Sequence, residues 1–181
     1  IVMADGIRTF LSVRGVSLRS LKIDHATGVS VMQFGALCPN LEHLNLWNNE
    51  YLTNEELSDI ASNIPLELKP FSSLVELNIL NNLVSNKFGI ADRELAYVLQ
   101  HGINLHSIKF QSLENLTDSL LETTLDENPL TQLSSLSLVA CNYVTMDSLW
   151  KILKMPNDLN QLILHDCKEI HRKDFTKIQK Y

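Results

Sequence analysis

Cysteine is scarce in this sequence: Cys38, Cys141 and Cys167 are the three cysteines among 181 residues. An odd number of cysteines inside the regular part of a chain argues against a disulfide framework and for a reducing compartment, the cytoplasm or the nucleus. One glycosylation triplet begins at Asn115, but a single match is weak against that cysteine usage. We therefore expect an intracellular protein that is held together by a packed core.

Clustered positive charge and long apolar runs are also missing. The chain has 15 Lys and Arg residues against 21 Asp and Glu, a net charge of −6, and its basic residues are mostly scattered. A nucleic-acid-binding protein would normally carry a basic stripe, and a membrane span needs about 20 apolar residues. We expect neither nucleic acid nor membrane as a partner. Because residue 1 is not a methionine and no signal peptide follows it, we expect a fragment of a longer chain.

Leucines, by contrast, recur along the whole chain in a nine-residue pattern, Leu-x-x-Leu-x-Leu-x-x-Asn/Cys. Its six copies begin at Leu18, Leu41, Leu74, Leu105, Leu133 and Leu159. Successive starts are 23 to 33 residues apart, and a leucine-rich repeat typically runs about 20–29 residues. The pattern predicts an α/β leucine-rich-repeat solenoid of about six repeats, with residues 1–181 in one domain.

Each copy of the motif has the alternation of a short strand with one buried face. In the second copy, Leu44 and Leu46 point to one side, whereas His43, Asn45 and Trp47 point to the other. Strands from successive repeats should lie parallel and form a curved sheet on the concave side of the solenoid. The helices that follow the strands should cover the convex side.

The residues after each strand change to the apolar spacing of an amphipathic helix. Thr53 and Glu56 form a capping-box pattern, which predicts a helix over residues 53–64. Three further helices are predicted at comparable starts: Asp92, Thr117 and Thr145. Residues 1–15 are expected to form the helix of a preceding repeat, and residues 171–181 a last helix.

The ninth motif position is predicted to point into the stack of repeats. Asn49 can satisfy backbone groups of the turn that leaves the strand. Cys141 and Cys167 can take the same place as small, mostly apolar residues with a weak S–H donor. Ala26 and Leu113 lack this capacity, so we expect their turns to be less regular.

Two stretches, residues 65–73 and 83–92, make their repeats overlong. Pro65 and Pro70 should end the preceding helix and hold an irregular connection. Insertions of this kind usually emerge at the surface of a solenoid, where they are either tolerated loops or partner-binding segments. The sequence leaves both interpretations open.

Residues 38–61 and 133–153 resemble one subtype of this repeat. The first segment reads CPNLEHLNLWNNEYLTNEELSDIA and the second LSSLSLVACNYVTMDSLWKIL. The subtype follows roughly C-P-x-L-x-x-L-x-L-x-x-C/N-x-x-I/L-T-D-x-x-L-x-x-I/L-A. The matching residues of the first segment are Cys38, Pro39, Leu41, Leu44, Leu46, Asn49, Thr53, Leu57 and Ala61. This cysteine-containing leucine-rich repeat is similar to the substrate-binding region of F-box leucine-rich-repeat proteins, the receptors of cullin–RING ubiquitin ligases.

The resemblance implies a protein–protein interaction module that recognises substrates for an SCF-type (Skp1–cullin–F-box) E3 ubiquitin ligase in ubiquitin-dependent protein degradation. An F-box upstream of Ile1 would bind the Skp1–cullin core. The chain departs from the subtype in two respects: only two of six ninth positions are Cys, and the repeat spacing is uneven. A structural or regulatory scaffold with no link to ubiquitin is the alternative interpretation.

The outward strand positions form three columns on the predicted concave face, which is the default binding surface of a solenoid. We predict that a protein partner contacts Trp47, Leu80, His43, Asn45, Glu76, Asn78, Lys109, Gln111, Val139, Ile163 and His165. Trp47 and Leu80 hold equivalent positions in adjacent repeats, so they should lie about 5 Å apart and form an exposed interface anchor. Alternatively, a loop or terminal segment of the full-length protein covers them.

Neither a metal site nor an active site is expected. His165, Cys167 and His171 have a ligand-like spacing, but His165 should face the concave side while Cys167 turns into the stack. A structural zinc site needs four ligands, and the nearby sequence offers no fourth. The sequence also lacks a nucleophile elbow, a phosphate loop and paired carboxylates, so we predict a non-enzyme without cofactors.

Overall fold

The computed structural model describes residues 2–62, 69–81 and 89–171. These residues form one six-stranded parallel sheet and six α-helices. The strands are β1 (Ser20–Asp24), β2 (His43–Trp47), β3 (Glu76–Leu80), β4 (Ser107–Gln111), β5 (Ser135–Val139) and β6 (Gln161–His165). The helices are α1 (Val2–Arg14), α2 (Val31–Leu37), α3 (Asn54–Ser62), α4 (Asp92–His101), α5 (Asp118–Glu127) and α6 (Met146–Lys154).

The strands are ordered in the sheet as they are in the sequence, and each occupies the same five positions of the leucine motif. Leu44 lies opposite Leu77, and Leu46 lies opposite Ile79. These four side chains are fully buried, whereas the residues between them on β2 and β3 are half-buried. The α/β architecture with parallel strands is as predicted, and it is compatible with a solenoid.

One continuous hydrophobic core runs beneath the sheet. It extends from Leu11 of α1, through the paired leucines of the strands, to Cys167 after β6. Helix residues with apolar spacing complete it, among them Leu95 of α4 and Leu149 of α6, both almost fully buried. The helices therefore pack on one side of the sheet, and the alternate strand residues face the other side.

After five of the six strands, the residue at the eighth motif position has the left-handed backbone conformation. Its φ is 53° at His25, 50° at Asn48, 54° at Ser112, 52° at Ala140 and 55° at Asp166. The N–H of this residue extends the ladder of the sheet: Ser112 donates to the carbonyl oxygen of Val139 at 2.8 Å, for example. Backbone hydrogen bonds to the next strand thus hold four of these five turns, those at His25, Asn48, Ser112 and Ala140.

The expectation of less regular turns at Ala26 and Leu113 is therefore wrong. His25 and Ser112, which precede them, have the same positive φ as the other copies. The N–H of His25 donates to the carbonyl oxygen of Trp47 at 3.0 Å, as the equivalent groups do elsewhere. A ninth side chain that can hydrogen-bond within its own turn is therefore not needed for this geometry.

The ninth position does point into the stack, as predicted. Cys141 and Cys167 are buried. The Sγ of Cys141 lies 3.8 Å from the carbonyl oxygen of Phe110, and the Sγ of Cys167 lies 3.5 Å from that of Leu138. Each thiol thus contacts the carbonyl oxygen at the sixth position of the preceding copy. Asn49 donates to the equivalent oxygen, that of Ile23.

Side-chain caps define several helix starts. Thr53 and Glu56 form the predicted capping box: the N–H of Thr53 donates to the Glu56 carboxylate at 2.8 Å, and the N–H of Glu56 to the Thr53 hydroxyl at 3.4 Å. Thr117 and Thr145 cap α5 and α6, as expected. Helix α2, whose cap is Ser30, was not singled out by the sequence pattern.

Helices α2 and α4 pack against each other although α3 lies between them in the sequence. Pro70 and Phe71, at the end of the first insertion, are buried in this region. A Cβ on Gly35 of α2 would lie 2.6 Å from Cε2 of Phe71 and 2.9 Å from Cβ of Pro70. The Phe71 ring also meets Tyr97 of α4 edge-on, with centroids 6.2 Å apart. The described end of this insertion therefore contributes to the core.

Some of the sequence predictions fall outside the described residues. These are the end of the predicted helix at Ile64, most of the second insertion (residues 82–88) and the last helix beyond residue 171. Helix α1 lies where the first helix is predicted, and a single 3₁₀ turn follows it at Gly15–Ser17. None of the described helices is long and apolar enough to cross a membrane.

Candidate functional site: the open face of the sheet

The outward strand residues lie in three rows across the sheet, which we call the open face. The first row is Ser20, His43, Glu76, Ser107, Ser135 and Gln161; the second is Lys22, Asn45, Asn78, Lys109, Ser137 and Ile163; the third is Asp24, Trp47, Leu80, Gln111, Val139 and His165. The register places every predicted contact residue on this face. Their contact with a partner stays a prediction.

A polar cluster joins β2 and β3 in the first two rows. The Nδ2 of Asn78 lies 2.6 Å from Oδ1 of Asn45 and 2.6 Å from Oε1 of Glu76. The Nδ1 of His43 lies 3.1 Å from the other oxygen of the Glu76 carboxylate. Because each side chain is held by its neighbours, a partner meets a polar surface that is already ordered.

Trp47 and Leu80 are neighbours in the register, as predicted, but both are half-buried. The Nζ of Lys22 lies 3.8 Å from the centroid of the Trp47 ring, a cation–π contact worth about 0.5–1 kcal/mol at an exposed site. The Trp47 Nε1 is buried, without a hydrogen-bond partner among the described residues. The structure differs from the expectation of an exposed aromatic beside an exposed aliphatic, since both side chains are half-buried and Lys22 stacks on the Trp47 ring.

The exposed outward residues lie on β1, β4 and β6, since Ser20, Lys22 and Asp24 of β1 are all exposed. Lys109 and His165 are exposed, and Ile163 retains 44% of its surface. Gln111 and Val139 are half-buried, and the Gln111 amide donates to the carbonyl oxygen of Asn81 at 3.4 Å. Ile163, together with the exposed Lys109 and His165, makes the β4–β6 end of the face suitable for a mixed polar and apolar contact.

A pocket that the sequence did not reveal opens at the carboxyl ends of β1 to β4. Its volume is about 280 Å³, and its lining includes His25, Asn48, Glu50, Asn81, Ser112 and Glu114. Two of its oxygens, Oδ1 of Asn81 and Oγ of Ser112, are buried without a hydrogen-bond partner among the described residues. The pocket adjoins the third row of the open face, since Asn48, Asn81 and Ser112 each directly follow a strand.

A buried carboxylate on the helical side was also missed. Glu94 of α4 is fully buried, and its Oε1 accepts hydrogen bonds from the Ser30 hydroxyl at 2.8 Å and the Met32 N–H at 3.2 Å. Burial raises the pKa of Glu94 to about 7, although these hydrogen bonds oppose the rise. Glu94 lies four residues before Val98, on the apolar stripe of α4. This spacing was the sequence signal that could have predicted its burial.

The residues with metal-like spacing diverge, as predicted. His165 is exposed, whereas Cys167 is buried, and burial raises the pKa of its thiol.

The glycosylation triplet is engaged in the fold as well. Asn115 is half-buried and its amide donates to the carbonyl oxygen of Ile90 at 2.9 Å, while Thr117 caps α5.

No protein-family model matches the chain, and no curated protein does either. The resemblance to F-box leucine-rich-repeat proteins therefore stays a prediction from Cys38, Pro39 and the periodic leucines. The open face and the pocket are the features from which a function can be inferred.

Proposed function

We propose that this chain is a leucine-rich-repeat solenoid and that its open face binds another protein. The observation that carries the proposal is the register of the sheet, which aligns the outward residues of all six motifs into three continuous rows. A surface of this kind can contact an extended or curved partner along its whole length. The role is recognition, without a chemical step in these repeats.

The side chains of the face support this role. The cluster of His43, Asn45, Glu76 and Asn78 offers fixed donors and acceptors. Ile163 offers apolar surface, and Lys109 an exposed cation. Protein interfaces combine an apolar centre with polar groups that fix orientation.

The more specific form of the proposal is substrate recognition for an SCF-type E3 ubiquitin ligase, in the cytoplasm or the nucleus. It is supported by the resemblance of residues 38–61 to the cysteine-containing repeat. The full-length protein would then bind the Skp1–cullin core through an F-box outside this chain. Failure of the full-length protein to co-purify with that core would count against this form, and a ubiquitin-independent scaffold would remain.

The open-face proposal is tested by proximity labelling with matched surface variants in cells. Ile163→Asp and Lys109→Glu change exposed residues of the face, and Ile103→Asp changes an exposed apolar residue, 54% accessible, that does not belong to it. We expect the first two variants to lose the same labelled partner while the third retains it. Equal labelling by all three, with each variant folded by circular dichroism, would contradict the proposal.

A further inference from the structure

We propose that the pocket at the carboxyl ends of β1 to β4 binds the side chain of an arginine from the partner protein. The inference rests on the proposed function, because it adds the chemistry of one partner residue to the binding surface. The pocket adjoins the open face where β2, β3 and β4 end, so a segment that crosses the third row would pass its mouth.

The size of the pocket suits one side chain. At about 280 Å³, it lies just below the range of about 300–1,000 Å³ found for small-molecule sites. Arginine is one of the residues that most often fill such pockets at protein interfaces.

The hydrogen-bonding groups of the wall favour a ligand that donates. The backbone N–H groups of His25, Asn48 and Ser112, which could otherwise bind an anion, donate to the neighbouring strand. The amide nitrogens of Asn49 and Asn115 also donate within the protein. A ligand that brings its own N–H groups therefore fits this wall better than an anion does.

Two side-chain oxygens without a partner among the described residues are consistent with a donating ligand. Ser112 is 6% exposed and lines the pocket, yet its hydroxyl has no partner among the described residues, and neither has Oδ1 of Asn81. Buried polar groups are nearly always satisfied, so a ligand that donates to these oxygens would supply hydrogen bonds that the described residues do not. These two groups follow different strands, and a planar guanidinium carries five N–H donors, enough for several acceptors at once.

The charge of the lining agrees with this assignment. Glu50 and Glu114 are exposed residues of the lining, and none of the described lining residues is Lys or Arg. The His25 imidazole is occupied by Asp24, with Nδ1 2.6 Å from the carboxylate. A guanidinium would therefore meet a carboxylate and neutral oxygens.

The test titrates the ¹⁵N-labelled chain with Nα-acetyl-arginine methylamide and follows amide chemical shifts. The citrulline analogue, which has the same shape without the charge, is the matched ligand. We expect saturable shifts at Asn48, Asn81 and Ser112, and binding of the citrulline analogue weaker by about tenfold, because a charge-assisted hydrogen bond is lost. Equal binding of the two ligands, or shifts elsewhere without shifts at these residues, would overturn the proposal.

Variants separate this inference from the proposed function. Glu50→Gln removes one of the two carboxylates that line the pocket, and Glu169→Gln removes an exposed carboxylate outside its lining. Only the first should weaken the arginine probe, and equal affinities of the two variants would overturn the pocket assignment. The titration needs no partner protein, so a missing arginine response rejects the pocket even if the open face binds a protein. Loss of all open-face binding with an intact arginine response rejects the proposed function instead.

Discussion

The side-chain amide of Asn49 bridges two backbone groups of the preceding motif copy, at Ala26 and Ile23. Its Oδ1 accepts a hydrogen bond from the N–H of Ala26 at 2.9 Å, and its Nδ2 donates to the carbonyl oxygen of Ile23 at 3.1 Å. Asn49 is 6% exposed, so water has little access to these groups. One amide thus satisfies two buried backbone groups of the neighbouring motif copy.

Replacement of Asn49 by alanine should therefore destabilise the fold strongly. Two buried backbone groups would lose their partner, at a cost of about 1–3 kcal/mol each. We expect the free energy of unfolding in urea to fall by roughly 2–4 kcal/mol. Asn49→Cys should lose less, because a thiol can still donate to Ile23, as Cys167 does to Leu138. The exposed Asn54→Ala is the control, and equal loss in both alanine variants would contradict this assignment.

Gly35 should not tolerate a side chain. A Cβ there would lie 2.6 Å from the Phe71 ring, and overpacking of a core typically costs about 1–3 kcal/mol. Gly6→Ala is the matched control: its Cβ would meet nothing within 4 Å, and it lies inside α1. There alanine should stabilise the helix by about 0.5–1 kcal/mol. In urea denaturation, Gly35→Ala should lower the free energy of unfolding and Gly6→Ala should raise it. An unchanged free energy in Gly35→Ala would count against the packing of Phe71 on α2.

Glu94 should make stability depend on pH. Its pKa is about 7 in the folded protein, against an ordinary value of 4.5. The unfolded chain releases this proton first, so the contribution of Glu94 is largest below pH 4.5 and is lost as pH rises to about 7. The loss amounts to roughly 3 kcal/mol.

The variant Glu94→Gln isolates this effect, because the glutamine oxygen can still accept from Ser30 and Met32. We expect the difference in unfolding free energy between Glu94→Gln and wild type to grow in favour of the variant from pH 4.5 to 7.5. It is measured by urea denaturation at four or five pH values in one buffer system. A difference that stays constant across this range would show that Glu94 titrates normally.

Trp47 should contribute to partner binding and only modestly to stability. Trp47→Ala removes a half-buried ring and its contact with Lys22, and an aromatic interface residue often contributes 2 kcal/mol or more to binding, about thirtyfold in affinity. Tyr143→Ala is the control, since Tyr143 is 56% exposed and lies outside the open face. Partner affinity is measured by surface plasmon resonance alongside the thermal midpoint. An unchanged affinity, or loss of folding, would remove Trp47 from the binding surface.

Much of the fold could be predicted because its information is periodic. Alternation around Leu44 and Leu46 fixed which strand residues face the core, and equal motif positions fixed which of them pair across the sheet. The capping box at Thr53 was equally local, since donor and acceptor are three residues apart. Local and periodic signals survive in a single sequence.

The remaining features depend on contacts between distant residues. Helix α2 is short and almost wholly apolar, so it carries no amphipathic stripe. Phe71 enters the core through an insertion that has no counterpart in the motif. The pocket combines groups that follow several strands, and Lys22 reaches Trp47 from a neighbouring strand. The spacing of the motif does not show which distant side chains come into contact.

The most direct test of the parallel, in-register stack is a spin-label distance across the whole sheet. Labels at Ser20→Cys and Gln161→Cys lie on exposed residues of the first row, five strand steps apart. The native thiols at Cys38, Cys141 and Cys167 are buried with raised pKa values, so they should react slowly. Pulsed electron paramagnetic resonance should give one narrow distance distribution near 24 Å, because five strand steps of about 4.8 Å separate the two residues. A broad distribution, or one centred beyond about 40 Å, would mean that the motifs do not form one sheet with a continuous open face.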